Sequence, residues 1–527
     1  MRLHELHINN FKFFPKQDPK SPLLKIDGKN ILVYGENGSG KSTIYWSIYT
    51  LLESAFKPKN IDISKYFEKG GKHGLVNIHA LKKHNAHIKA VLKETGQPDV
   101  SYYLDGEIAT VESVRVNSAI RESGMASDFI NYRVLFRLHN LKHSKENNLF
   151  GWFEDEIFPY LLVASISSTN SVGDVLKVLK LGPAKVKDFD EIEEMVFPNP
   201  AMQHHAQEAV RKDFRKYQKY DSEIKKWNTK LKAYLSGITT RANQILTNDF
   251  QKKFEIKLDY TSSKINVTAD DLGWEDPIIE LKIPVYNGKR NAIKRPHTFL
   301  NEAKWTSIGL SIRLAIIEDW TNRPATAQLK ALVIDDMLLS LDMSNRDIVL
   351  NILLDRYVND YQLIMLTHDR YFFELAQGKI NARNKGADWL KLEMYEDTEN
   401  GISRPLILKS KTNLERAKNF YRQKEFAASA NHLRKATECF VHEYVPKKKQ
   451  YDRNFKPLDL NSLIGKSRAM ARANGLPAFL IQDLDLMRTY LFNPGSHYDV
   501  YTPVFHNDLK RAIKTLEQVS ILTSINL

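Results

Sequence analysis

The stretch GENGSGKST, Gly35 to Thr43, fits the spacing G-x-x-x-x-G-K-[ST] through Gly35, Gly40, Lys41 and Ser42. It follows NILVYG, in which Ile31, Leu32 and Val33 stand in succession as in a strand buried on both faces. It precedes IYWSIYTLLESAF, which reads as a helix. A buried strand, a glycine-rich turn and a helix together give the pattern its chemical meaning. Glycines let the backbone wrap around phosphates with several N–H groups pointing inward. The helix N-terminus adds positive potential. Lys41 is expected to reach the β- and γ-phosphates, and the Ser42 hydroxyl to ligate Mg²⁺. The expected ATP-binding set is Gly35, Asn37, Gly38, Ser39, Gly40, Lys41, Ser42 and Thr43.

Such a loop needs a carboxylate as a second ligand to the metal. ALVIDD supplies one, as four apolar residues ending in Asp335 and Asp336. Ligands of open α/β sheets bind at strand ends. Asp335 is therefore expected to hold Mg²⁺ through water, and Asp336 to polarise an attacking water as the catalytic acid–base residue. Downstream, Ser340-Leu341-Asp342 follows closely, and LIMLTHDR places His368 just past another apolar strand, within reach of a γ-phosphate. Upstream, FLNEAKWTSIGLSIRLA has a polar start at Asn301 to Lys304 and an apolar continuation. Asn301 suits an N-cap, and the free N–H groups of the next turn form an anion site. Strands alternating with helices around the loop give an α/β core.

The order of phosphate loop, long insertion, LNEAK helix, VIDD, SLD and THD resembles the ABC-type ATPase heads of the SMC/RecF class. The 293 residues from Ser42 to Asp335 leave room for a lobe and a short helical arm. The resemblance implies that two heads sandwich ATP, with the phosphate loop of one facing the signature helix of the other. Asn301 and Glu302 would then bind nucleotide held by a second copy, as would Asp342, and a homodimer or higher even oligomer follows. Two departures matter. Asn301, Glu302 and Ala303 replace the usual Ser- and Gly-rich signature, and Asp336 replaces the usual Glu, which points to slow hydrolysis. More narrowly, the loop, INYRVLFRLHNL (residues 130–141), LNEAK and DMSNRDIVLNILL are similar to the PtuA-type ATPases of Septu anti-phage systems, including retron-linked ones. That likeness covers about residues 1–400. It implies an ATPase that regulates a separate HNH nuclease, with DNA or a DNA–RNA hybrid as a further partner. INYRVLFRLHNL falls where the family has its glutamine-containing loop, but carries no matching Gln. A RecF-type DNA-repair ATPase is the alternative, and an ATPase-restrained toxin nuclease a third.

The expected segments are an N-terminal part of the ATPase head at 1–170, a helical insertion or arm at 171–255, the rest of the head at 256–405, and an all-helical domain at 411–527. Residues 206–246 carry a near-continuous heptad seam, broken by Asp221 and Asn228, that spans roughly 60 Å as one helix. A protruding arm and a helix packed on its own body fit that seam equally. VNIHAL and AHIKAVL, within residues 74–105, alternate like a hairpin. KFEIKLDY, KINVTA and IIELKIPVY read as strands. Beyond residue 411, NLERAKNFYRQKEFAASANHLRKATECFVHEYV reads as a helical hairpin broken near residues 424–426, with three further helical stretches. There the HEPN ribonuclease pattern fails on spacing, because eight residues separate Arg488 from His497.

The chain has 527 residues and a formal net charge of +14, which favours polyanionic partners. From residue 405 onward, 20 Lys and Arg face 11 Asp and Glu, so about +9 lies in the last quarter. The single cysteine, Cys439, excludes an internal disulfide framework and suits a reducing cytoplasm. No apolar run is long enough to span a bilayer, so no membrane partner is expected.

Overall fold

The computed structural model describes residues 1–16, 24–81, 85–131, 148–167, 170–180, 207–267, 272–290, 293, 296–319, 327–336, 343–473, 475–492, 506–523, 525 and 527. The chain forms two compact units. One comprises Met1–Asp369 with Met394–Leu406, and the other Arg370–Glu393 with Ile407–Leu527.

The strands, in chain order, are β1 (Arg2–Asn9), β2 (Leu24–Lys25), β3 (Asn30–Gly35), β4 (His87–Lys93), β5 (Val100–Asp105), β6 (Asp128–Asn131), β7 (Phe254–Thr261), β8 (Lys264–Val267), β9 (Leu272–Glu275), β10 (Ile278–Tyr286), β11 (Ala331–Asp335), β12 (Gln362–Thr367), β13 (Trp389–Glu399) and β14 (Ile402–Lys409). A six-stranded sheet has the order β14-β13-β3-β12-β11-β6. Its β3–β12, β12–β11 and β11–β6 pairings are parallel. Every residue of β11 and β12 is buried, as expected for parallel strands covered on both faces. The α/β core read from the sequence is present. A four-stranded sheet, β2-β1-β4-β5, is antiparallel throughout.

The hairpin expected from VNIHAL and AHIKAVL is placed differently. AHIKAVL contributes to β4, but its hairpin partner is β5. VNIHAL is a turn, because the Asn77 side chain accepts the His79 N–H at 2.9 Å and leaves Ile78 and Leu81 exposed.

Three helices position the candidate site. Helix α1 (Lys41–Glu53) follows β3. Helix α2 (Gln207–Gln244) covers most of the heptad seam. From Ile224 onward its apolar side chains, including Leu231, Leu235 and Ile238, are buried, and it packs on β7 and on α3 (Glu302–Glu318). This part of the seam lies on the protein's own body. Asn228, which interrupts it, is a structural link: its amide donates to Ser263 O at 2.9 Å and its carbonyl accepts from Tyr260 and Ser263.

Helix α3 is buried without interruption from Trp305 to Ile317. A helix enclosed on all sides must partner any polar group it carries. Arg313, 5% exposed, forms an ion pair with Asp128 at the start of β6 and donates to Glu156 O at 2.9 Å. The pair ties α3 to the parallel sheet.

The second unit is helical around one core. Its helices are α4 (Arg370–Ala382), α5 (Asn413–Arg422), α6 (Phe426–Tyr444), α7 (Leu460–Ala473), α8 (Ala478–Met487) and α9 (His506–Thr523). Leu433, Phe440, Leu480, Leu484, Leu509 and Leu516 are enclosed in that core. A capping box between Thr412 and Glu415 starts α5. Lys424, at φ +65°, breaks the α5–α6 hairpin where the sequence indicated. Among the described residues no helix is long and apolar enough to cross a membrane.

Removing one partner of a buried ion pair strands the other charge. Arg313→Ala should therefore lower the stability of the first unit by about 3–5 kcal/mol. The measurement is the urea midpoint followed by tryptophan fluorescence, and an unchanged midpoint contradicts the assignment.

Candidate nucleotide site

Parallel strands bring their C-terminal ends to one edge of the sheet. Thr367 pairs with Tyr34, Leu366 with Asp335, and Asp335 with Asn131. Gly35, His368, Asp335 and Asp336 therefore come from three neighbouring chain reversals, with β12 between the strand of the glycine loop and the strand of the two acids.

The loop between β3 and α1 has the backbone that its glycines were expected to permit. Gly38 has φ +90° and Gly40 φ +92°, the left-handed region that costs other residues most. A Cβ on Gly40 would stand 2.7 Å from the Phe13 ring, and one on Gly35 would stand 2.8 Å from Met394 O. Backbone conformation requires glycine at Gly38, space requires it at Gly35, and both require it at Gly40. Lys41 is 5% exposed and its Nζ donates to Glu36 O at 3.1 Å, folded over the loop. Burial lowers its pKa, opposed by the charges of Asp336 and Asp335. Ser39 is fully buried and its Oγ has no partner. Thr43 is buried in the first turn of α1, and Asn37 is exposed on the loop.

Asp335 is the most perturbed carboxylate at this edge. Burial pushes it up to about 6, against the pull of the Ser42 hydroxyl, which hydrogen-bonds to it, and of the Lys41 charge. Its Oδ1 is buried without a protein partner. An enclosed carboxylate oxygen with no donor is what a metal position leaves on the protein side. A serine hydroxyl beside an aspartate is an all-oxygen donor set suited to Mg²⁺. The residues present thus fit the cation that the loop implies.

Asp336 has φ +48°, an uncommon conformation for a residue with a side chain. Two contacts hold it there. Its N–H donates to Leu366 O at 3.0 Å, and its Oδ1 accepts the backbone N–H of His368 at 2.9 Å. His368 Nδ1 also lies 2.9 Å from Asp336 Oδ1, close enough for a charge contact but without the alignment of a hydrogen bond. The two expected catalytic residues therefore touch. Asp369 pairs with Arg346 and fixes the turn after β12.

Asn301 is the N-cap of α3, accepting the Lys304 N–H at 3.1 Å. Lys304 Nζ is drawn to the Tyr286 hydroxyl at 2.9 Å. Asn301 and Glu302 are exposed at the start of the helix. Asp342, with Ser340 and Leu341, lies outside the described residues, as do His497 and all of INYRVLFRLHNL beyond Asn131.

Two neighbours of the site were missed in the sequence. Phe13 lies 22 residues before the glycine loop, and its ring closes over Gly40. Asn131 ends β6 beside Asp335 and donates to the Tyr45 hydroxyl at 3.0 Å. It stands second in INYRVLFRLHNL, the segment that falls where the family has its glutamine-containing loop.

No family model matches the sequence, and no curated protein matches it. Solved structures do show similarity. The SMC head domain of Pyrococcus furiosus, bound to the C-terminal domain of ScpA, is 14% identical with a TM-score of 0.39, over 80% of this chain and 99% of that one. The SMC head of Thermotoga maritima is 14% identical with a TM-score of 0.33, over 78% of this chain and 100% of that one. The recombination mediator RecF, in a nucleotide complex, is 12% identical with a TM-score of 0.39, over 77% of this chain and 98% of that one. Likenesses at this level assign no function to the chain.

Lys41→Ala should reduce the affinity for a fluorescent ATP analogue at least tenfold, and Gly40→Ala should do so through the backbone, even in a Phe13→Ala background that removes the clash. Titration by fluorescence anisotropy reads both. Unchanged affinity in Lys41→Ala refutes the assignment of the loop.

Proposed function

We propose that this chain is a Mg²⁺-dependent ATPase of ABC type that hydrolyses ATP slowly and closes as a dimer around nucleotide. The observation that carries the reading is the meeting of Ser42 with Asp335, whose Oδ1 is buried and unpartnered, at the mouth of a glycine loop. In this reading the loop N–H groups and Lys41 hold the phosphates, while Ser42 and Asp335 hold the cation. The bound Mg²⁺ would supply charge neutralisation on the β- and γ-oxygens. Asp336, fixed by the His368 N–H, would orient and polarise a water. His368 would report the γ-phosphate from the adjacent turn.

The exposed, Asn301-capped turn of α3 would bind phosphate on a second copy. The order of motifs supports that arrangement, and a two-fold dimer places two such turns on two loops. The likeness of the motifs to PtuA-type ATPases supports a role in anti-phage defence, in which nucleotide-dependent closure gates a separate HNH nuclease, with DNA or a DNA–RNA hybrid as a further component.

Three measurements test this reading. Asp336→Asn should slow ATP turnover by about 10²- to 10⁴-fold while ATP still binds, and should accumulate an ATP-bound dimer in light scattering. Normal turnover would assign the water to another residue. Asn301→Ala should cost about 1 kcal/mol of helix stability, leave ATP binding by the monomer intact and weaken ATP-induced dimerisation; an unaffected dimer removes the trans role. Purification of the tagged chain with its associated proteins should recover a nuclease, the chain alone being inert. If the chain alone cleaves DNA or RNA and His497→Ala abolishes cleavage, the nuclease is not supplied in trans.

A further inference from the structure

Between α6 and α7 of the second unit, the segment Lys447–Lys456 carries five cations, Lys447, Lys448, Lys449, Arg453 and Lys456, and one acid, Asp452. Among the described residues none of the five forms an ion pair with a carboxylate. All five are exposed. The acid is turned to structural use: its Oδ1 accepts the N–H groups of Asn454 and Lys456, each at 2.8 Å.

The segment has a defined shape. Tyr451 and Pro457 pair as an antiparallel bridge, Asp452 N–H donates to Lys456 O at 2.9 Å, and Phe455 N–H donates to Asp452 O at 3.2 Å. Gln450 anchors the base, donating from Nε2 to His442 O and Val445 O, each at 2.6 Å. At the tip, Phe455 is 87% exposed and has φ +59°. Both features are unfavourable for the isolated protein. The left-handed conformation costs a bulky residue roughly 1–2 kcal/mol, and the ring gains nothing from burial. Asn or Gly would fill the position at less cost. A run of lysines explains solubility, but solubility does not call for a phenylalanine held out on a tight turn.

We infer that this turn is a binding site for single-stranded nucleic acid, with Phe455 and the half-exposed Tyr451 stacking on bases and the surrounding cations on the phosphates. Aromatic faces beside unpaired cations match the alternating chemistry of an unpaired strand, whereas a duplex keeps its base faces stacked away. An acidic protein surface would use the cations, but it would use the ring only where it also offered an apolar pocket. The turn belongs to the second unit and the nucleotide loop to the first.

The test uses the full chain without ATP and a fluorescein-labelled oligothymidylate, read by anisotropy. Phe455→Gly removes the ring and relieves the backbone, so it should weaken binding by about five- to a hundredfold while the unfolding midpoint stays level or rises. Phe455→Trp should retain binding. Lys447→Ala/Lys448→Ala/Lys449→Ala should reduce the slope of log affinity against log salt by about 2. Unchanged affinity in both the Phe455→Gly and triple-lysine proteins overturns the inference. So does an equal loss for duplex and single strand in Phe455→Gly, or a loss of ATP-analogue affinity in that variant, which would mean that it acts through folding. Retained oligonucleotide binding with lost capture of an acidic partner protein overturns it as well.

Discussion

The parallel pairing of β3, β12 and β11 is the constraint on which the site depends. Because these strands run the same way, their reversals gather at one edge, and those after β3 and β11 take an unusual backbone. Gly38 and Gly40 take left-handed conformations after β3, and Asp336 takes one after β11. The hydrogen bond from His368 N to Asp336 Oδ1 then locks the second reversal to the third. A strand shifted by one residue would break that bond and turn Asp335 to the opposite face of the sheet. The phosphate loop, the acids and the histidine are thus set by register rather than by side-chain packing around a cavity.

The same edge concentrates electrostatic tension. Burial disfavours the charged forms of both Lys41 and Asp335, and each lies within reach of the other's field. Their attraction offsets only part of the desolvation, since Asp335 remains pushed up to about 6. A buried carboxylate with an orphan oxygen and a buried ammonium resting on a backbone carbonyl are poorly served by the protein alone. In the proposed reading both would be served by a phosphate-bound cation, which would pair the carboxylate and free the ammonium for phosphate oxygens. Stability given up here is the ordinary mark of a site organised for a charged ligand.

The sequence was most informative where chemistry and backbone coincide. GENGSGKST and ALVIDD were legible because each joins a continuous apolar run to residues with few other uses. NLERAKNFYRQKEFAASANHLRKATECFVHEYV gave its helical hairpin through period and a charged break. VNIHAL misled because alternation alone does not reveal that Asn77 caps a turn. Strands β13 and β14 went unread although Asn400-Gly401, at φ +53° and +75°, is a recognisable hairpin turn between them. Phe13 and Asn131 were beyond reach of local pattern, because their place beside Gly40 and Asp335 is created by pairings distant in sequence. The heptad seam did not distinguish an arm from a packed helix, since both bury the same stripe. Asn228 is informative in retrospect: its contacts with Tyr260 and Ser263 bind that part of the helix to the strand region after it.

Helix α3 connects these observations to motion. Its exposed first turn ends in an N-cap, while its body from Trp305 onward is enclosed and pinned through Arg313 to Asp128 at the start of β6. β6 pairs with β11 along Leu332 to Asp335. A rigid path therefore runs from the turn at Asn301, through α3 and β6, to the strand that carries both acids. A ligand pressing on that turn acts on an element that does not bend easily, because an unbroken buried helix transmits displacement rather than absorbing it. In the proposed reading the coupling would also run the other way, since β11 is paired to β6 and β6 is tied to α3. What the fold supplies is one stiff connection between the carboxylates and the exposed first turn of α3, which is what the proposed reading requires if nucleotide on one copy is to be sensed by another.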